Sequence, residues 1–238
     1  LLTTNSIENS IRNMRRLLET LGCSADTSSP GSVTLHTTDT SESHATYEIV
    51  KTMRASICAL GPLLAARGKA RIALPGGCAI GQRPIDLHLR GMEALGATFE
   101  LEGGDVIGRV PGGRLHRGTA NILCAAVLAR GTTVIESAAC EPEIVDVADL
   151  LIALGAKIEG AGSPRITVHG VEQLGGAHHR VMPDRIEAGT LMVAAAITAG
   201  ELTLENTPLD ALMAATDRLD AIGVDVEHVS GTTQRATV

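Results

Sequence analysis

Aromatic residues are almost missing from this 238-residue chain, which has one Tyr, one Phe and no Trp. Any core must therefore be aliphatic, built from Leu, Ile, Val, Ala and Met, and 44% of the residues are hydrophobic, enough to bury a sizeable one. Positive charge is in deficit as well. The formal net charge is −7 and the pI is near 5.6, which argues against nucleic acid and anionic membranes as partners. No apolar run is long enough to cross a bilayer, and no basic-then-apolar start resembles a signal peptide, so no membrane insertion and a cytoplasmic location are expected. The sequence lacks a CxxC pair and any His/Cys cluster, so no metal site is expected. Five Cys at irregular spacing fit a reduced intracellular protein.

What the chain has in quantity is glycine, 26 residues, and an internal repeat. Four segments end alike: LLETLGCSAD, GMEALGATFE, LLIALGAKIE and RLDAIGVDVE. Each Gly follows an apolar stripe at helical spacing. The stripes are Ile11, Met14, Leu18 and Leu21 before Gly22, then Ile85, Leu89, Met92 and Leu95 before Gly96. Ile144, Val147, Leu151 and Leu154 precede Gly155, and Leu212, Ala215, Leu219 and Ile222 precede Gly223. Each Gly fits a left-handed helix C-cap, with a short alternating strand after it. A second helix type, apolar on nearly every side, is read at 53–68, 119–131 and 186–200, each running into a strand; such helices belong under the sheets. The fold class expected is α/β, with helices packed within and sheets outside.

The repeat glycines lie 74, 59 and 68 residues apart, so the middle interval is about one strand short. The deficit falls near Gly118 and Thr119, where either a deletion or a chain break is expected. The polar stretch Thr37–Ser43 has the composition of a mobile segment.

One segment stands outside the repeat. LPGGCAIGQRPIDLH, residues 74–88, makes a Gly-rich loop with Cys78 at its centre and Arg83 five residues on. Arg83 is near enough to lower a thiol pKa or to hold a phosphate or carboxylate. Pro84 starts a helix carrying Asp86 in its first turn, where a carboxylate suits the helix dipole. On chemistry alone, a surface turn that happens to carry a Cys remains open beside this reading. Lys51 and Arg54 open the first apolar helix, either to serve an anionic ligand or as a solvated end with packed stems. Glu141, Glu143, Asp146 and Asp149 read as helix-start acids, and His88, His169, His178 and His179 as surface or strand-end residues.

The runs KTMRASICALGPLLAARG, IALPGGCAIGQRPIDLHLRGMEALGA, GTTVIESAACEPEIVDVADLLIALGAKIEG and RVMPDRIEAGTLMVAAAITAG resemble the bacterial UDP-N-acetylglucosamine 1-carboxyvinyltransferases of the enolpyruvyl transferase superfamily. The likeness covers residues 7–227 and is most specific at the Cys loop. It implies an inside-out α/β barrel fold and transfer of the enolpyruvyl group of phosphoenolpyruvate to the 3-hydroxyl of UDP-N-acetylglucosamine, with release of phosphate. It implies no cofactor. Cys78 matches the family's loop cysteine, a general acid towards the methylene carbon of phosphoenolpyruvate, and Arg83 an arginine contacting both substrates. Pro84, Ile85, Asp86 and Leu87 match the stretch holding the uracil end, and Arg54 an arginine at the sugar-nucleotide site. Residues 1–182 are expected to form most of the catalytic-loop domain and 183–238 to begin the second, substrate-binding domain. The family's first strand with its Lys-Asn pair is expected before residue 1, its UDP-contacting Lys/Ser-Val-Gly stretch near Gly118, and its catalytic aspartate after Val238. The competing expectations are another enolpyruvyl transferase with a different acceptor, and a truncated or inactive paralogue that only binds sugar nucleotide.

Overall fold

The computed structural model describes residues 5–51, 53–74, 85–112, 115, 122–230 and 233–237. The chain divides into two compact units, Leu1–Ala177 and His178–Val238.

The first unit opens with helix α1 (Asn5–Thr20), strands β1 (Cys23–Asp26), β2 (Thr34–Thr37) and β3 (His44–Ala45), and helix α2 (Tyr47–Val50). A 3-10 helix, Arg54–Ala59, runs directly into α3 (Leu60–Arg67) and β4 (Lys69–Ala73). After it come α4 (Asp86–Ala94), β5 (Thr98–Glu102), β6 (Asp105–Arg109), α5 (Ile122–Ala126) and β7 (Thr132–Glu136). The unit ends with α6 (Pro142–Ala153), β8 (Lys157–Glu159) and β9 (Arg165–His169). The second unit holds α7 (Arg185–Ile197), β10 (Glu201–Leu204), a 3-10 turn Leu209–Ala211, α8 (Met213–Ala221), β11 (Asp225–Ser230) and β12 (Thr233–Thr237).

The repeat legible in the sequence is a repeat of topology. In each of three sheets the strand after the apolar helix pairs antiparallel with the last strand of the unit, which then pairs with the strand after the marker glycine. The orders are β4-β6-β5, β7-β9-β8 and β10-β12-β11, with β3 added in parallel beside β4. β1 and β2 form the corresponding pair of a fourth sheet. Gly22, Gly96, Gly155 and Gly223 all have φ between +85° and +105°, the left-handed cap their spacing predicts.

Burial follows the helix stripes with three corrections. Leu17 and Leu21 are the buried residues of α1, whereas Ile11 is exposed, because α1 packs on β1, α2 and the 3-10 helix through its later turns. In α6, Ala148 is fully buried whereas Val147 is 36% exposed. Ile222, at the end of α8, is 72% exposed. The apolar helices behave differently in the two units. α3 and α5 pack on one another and on β4, β6 and β9, and supply Leu60, Leu63, Leu64, Ile122, Leu123 and Ala125 to a continuous core. α7 was expected under a sheet on every side, yet Ile186, Val193 and Ile197 are exposed, Ile197 by 80%. Among the described residues of its own unit, α7 packs on β10, β12 and α8, which cover one face through Ala188, Met192 and Ala195.

Thr37–Ser43 is tied down rather than loose. Gly22 C=O accepts from Thr38 N–H at 2.8 Å, Thr38 Oγ1 at 2.9 Å and Asp39 N–H at 3.0 Å. Arg67 then donates to three backbone carbonyls, Leu21 at 2.8 Å, Asp39 at 3.4 Å and Glu42, pinning the stretch to the end of α1. Composition suggested mobility; charge-assisted hydrogen bonds to carbonyls override it. Gly118 and Thr119, where the repeat runs short, lie outside the described residues.

Candidate functional site

The residues on either side of 75–84 are anchored in the first unit. On the upstream side β4 ends at Ala73, and the Leu74 N–H donates to Gly104 C=O at 2.8 Å, in the turn between β5 and β6. On the downstream side Ile85 is the N-cap residue of α4, half buried against the core, with its C=O accepting from Leu89 N–H at 3.1 Å. Cys78, Arg83 and Pro84 themselves lie outside the described residues.

Of the predicted binding stretch, the described part makes the first turn of α4. Asp86 is its first residue and exposed, where the unpaired N–H groups of the helix start favour a carboxylate. Leu87 is 69% exposed. Ile85 is anchored while Asp86 and Leu87 face outward, so the turn offers a carboxylate and an apolar side chain together. Arg54 begins the 3-10 helix, after an extended Met53, and its side chain lies outside the description. That 3-10 helix packs on α1, α2 and α3, whereas α4 packs on α5 and β5. The pairing of α3 with α5 links the two regions within one core.

Lys51 resolves differently from Arg54. Its Nζ pairs with the Glu48 carboxylate one turn back and lies 5.6 Å from the centre of the Tyr47 ring. It is a solvated helix-end cation with local partners. The acids of α6 also take a structural part: Glu141 is its N-cap residue, Pro142 follows, and Glu143 sits in the first turn.

Thiol chemistry separates the cysteines. Burial pushes the Cys58 thiol up, and burial pushes Cys124 up to about 11, with the neighbouring Cys58 adding to it. Cys124, half buried, is a poor nucleophile at neutral pH, whereas Cys58 reaches the surface. Cys23 and Cys140 are also free thiols, the latter exposed with its Sγ 3.6 Å from Ala138 C=O. Among the described residues no group of three or more His, Cys, Asp or Glu is placed to hold a metal ion, and no helix is long and apolar enough to cross a membrane.

A polar cluster that the sequence reading missed lies on the β4-β6 face. Arg71 Nε donates to Asp105 Oδ2 at 2.5 Å, and His44 Nε2 lies 3.6 Å from the same oxygen. These residues come from three strands, and only the cross-strand register joins them.

The profile of the EPSP synthase (3-phosphoshikimate 1-carboxyvinyltransferase) family matches residues 7–237. The chain is 51% identical over 222 residues to a protein of Nitratidesulfovibrio vulgaris named UDP-N-acetylglucosamine 1-carboxyvinyltransferase, covering 90% of this chain and 53% of the relative. A Saccharophagus degradans protein of the same name is 47% identical over 238 residues, covering 96% and 57%. The chain thus spans a little over half the length of the curated relatives it matches. The crystal structure of the enolpyruvyl transferase NikO from Streptomyces tendae superposes with a TM-score of 0.75 at 23% identity, covering 95% of this chain and 57% of that one. EPSP synthase from Acinetobacter baumannii superposes with a TM-score of 0.64 at 20% identity, covering 94% and 55%. At such identities these likenesses concern the fold, which is the α/β fold of the enolpyruvyl transferases.

Proposed function

This chain belongs to the EPSP synthase family of carboxyvinyl transferases, and on that premise we propose that it is the Cys-loop portion of a UDP-N-acetylglucosamine 1-carboxyvinyltransferase. The observation that carries the reading is about 50% identity, over nine-tenths of the chain, to curated relatives of that name.

In this reading the 3-hydroxyl of UDP-N-acetylglucosamine adds to the enol carbon of phosphoenolpyruvate while Cys78 delivers a proton to the methylene carbon. The tetrahedral ketal then loses phosphate as the methyl group gives a proton back to Cys78, which restores the enol ether, and the proton of the sugar hydroxyl leaves with the phosphate. Arg83 clamps the anionic substrate with a planar fork that a Lys lacks. Arg54 serves the sugar nucleotide, and Pro84, Ile85, Asp86 and Leu87 serve its uracil end. Residues 1–182 form most of the catalytic-loop domain and 183–238 begin the substrate-binding one, in an architecture of two inside-out α/β barrels. The enzyme works in the cytoplasm at the start of peptidoglycan synthesis and takes no cofactor.

The test uses the complete protein with phosphoenolpyruvate and either acceptor, reading phosphate release. Turnover is expected with UDP-N-acetylglucosamine, and an electrophilic phosphonate epoxide is expected to label Cys78 and stop it. Release with shikimate 3-phosphate alone would overturn the acceptor. Labelling at Cys58 or Cys124 with Cys78 untouched would overturn the role of the loop. Arg83→Ala is expected to cost about 1.5–3 kcal/mol in kcat/KM for each charge-assisted bond lost, and Arg83→Lys is not expected to restore it.

A further inference from the structure

On the solvent face of the β4-β6 pair lies a cleft of about 290 Å3, walled on one side by the tied-down stretch that ends in Ser43. It sits at the Lys69–Arg71 end of β4, whereas the Cys78 loop leaves from the other end, so the two are separate features of one strand. Alternation along the strands sends Ala70, Ile72, Val106 and Gly108 into the core and Lys69, Arg71 and Arg109 outward.

Lys69 and Arg109 are direct cross-strand partners in the antiparallel register, so two cations leave the sheet side by side. Like charges in that position repel and destabilise the pair. Neither has an acidic partner among the described residues, although the chain as a whole is acidic. Arg71 commits its Nε to Asp105, leaving the terminal N–H groups of the fork outside that bond. Ser43 also lines the cleft, but its Oγ is buried and does not open onto it. Two carboxylates also border the cleft, Glu42 and Glu102. Glu102 pairs with Asp105, four residues along the strands from the Thr98–Arg109 pair, so it lies roughly 13 Å from the cationic end.

We propose that this cleft binds a small anion of the phosphate class, a phosphate or phosphomonoester group seated between Lys69 and Arg109, with the terminal N–H groups of Arg71 donating to its oxygens. Such a ligand relieves the cross-strand repulsion. The proposal is independent of the carboxyvinyl transfer reading, because none of these residues belongs to the Cys78 loop.

The test is an amide NMR titration of the complete protein with inorganic phosphate, against sodium chloride at matched ionic strength. Phosphate released in the proposed reaction could also occupy the catalytic region, so the readout is local: the amides of residues 43, 69–71 and 107–109. A saturable shift there is expected, specific to phosphate. Weakening of about tenfold or more is expected in the double variant Lys69→Gln with Arg109→Gln, the scale of one lost charge-assisted bond. Both positions are exposed, so the fold should survive, and its melting curve checks that. Shifts that sodium chloride reproduces, or affinity unchanged in the double variant, would overturn the site. Shifts confined to residues 53–56 and 85–89 would also overturn it, assigning the phosphate to the catalytic region.

Discussion

The four marker glycines occupy equivalent repeat positions but different surroundings, so one substitution made at two of them separates backbone strain from crowding. Gly22 has φ +85° and Gly155 φ +105°. An L-residue held in the left-handed region costs about 1–2 kcal/mol at either site. At Gly155 a Cβ meets nothing within 4 Å, so Gly155→Ala should cost that strain alone. At Gly22 the Cβ falls 2.2 Å from the Asp39 carbonyl oxygen and 2.9 Å from its carbon. No flexible side chain can yield there; the backbone at Asp39 has to move by roughly 1 Å to reach an ordinary contact. That motion disturbs the three hydrogen bonds that Gly22 C=O accepts from Thr38 and Asp39, each worth about 0.5–1.5 kcal/mol. Gly22→Ala should therefore cost about 3–5 kcal/mol. Both residues belong to the first unit, so the same unfolding transition reports both. Urea unfolding followed by circular dichroism measures the difference, and a midpoint shift at constant slope isolates stability. Equal losses in the two variants, or a loss below about 1 kcal/mol for Gly22→Ala, would refute the crowding argument.

Three further outcomes are expected. Because burial raises the Cys124 thiol from the ordinary 9.0 to about 11, the unfolded chain ionises first as pH rises. The stability from keeping that thiol neutral is complete below pH 9 and lost between 9 and about 11. Urea midpoints at stepped pH should fall less steeply in Cys124→Ala across that window, and an identical slope would sink the assignment. Asp184 Oδ1 caps α7 by accepting from Ile186 N–H at 2.8 Å and Glu187 N–H at 3.0 Å, so Asp184→Ala should cost about 0.5–2 kcal/mol and Asp184→Asn much less. Hydrogen exchange of the first α7 amides reads that difference, and equal protection in the two variants would count against a capping role. Arg67→Ala should destabilise the first unit by about 2–4 kcal/mol through three abandoned carbonyls, with exchange accelerating first at Thr38–Ser41; protection unchanged there would mean the stretch is held by Gly22 alone.

Local pattern determined much of this protein before any fold was seen. The spacing of Leu21, Leu95, Leu154 and Ile222 before a glycine follows from the 3.6-residue helical period, and a left-handed cap follows from glycine alone tolerating that φ. The segment with Pro75, Gly76, Gly77 and Gly81 stands out in the sequence because it interrupts every periodicity, and its Cys78 lies outside the described residues. What the sequence left open are facts of register and neighbourhood. His44, Arg71 and Asp105 are up to 61 residues apart in the chain, and only the β3-β4-β6 pairing makes them one cluster. The helix pattern could not tell that Ala148 is buried more fully than Val147, or which face of α7 packs on the described residues of its own unit, because burial depends on what packs against a helix. Composition misread Thr37–Ser43 because the order of that stretch resides in Arg67, which the chain brings back from the end of α3. Periodicity is a local property and survives in one dimension, whereas cross-strand pairing, burial and the partner of a carbonyl exist only once distant segments meet.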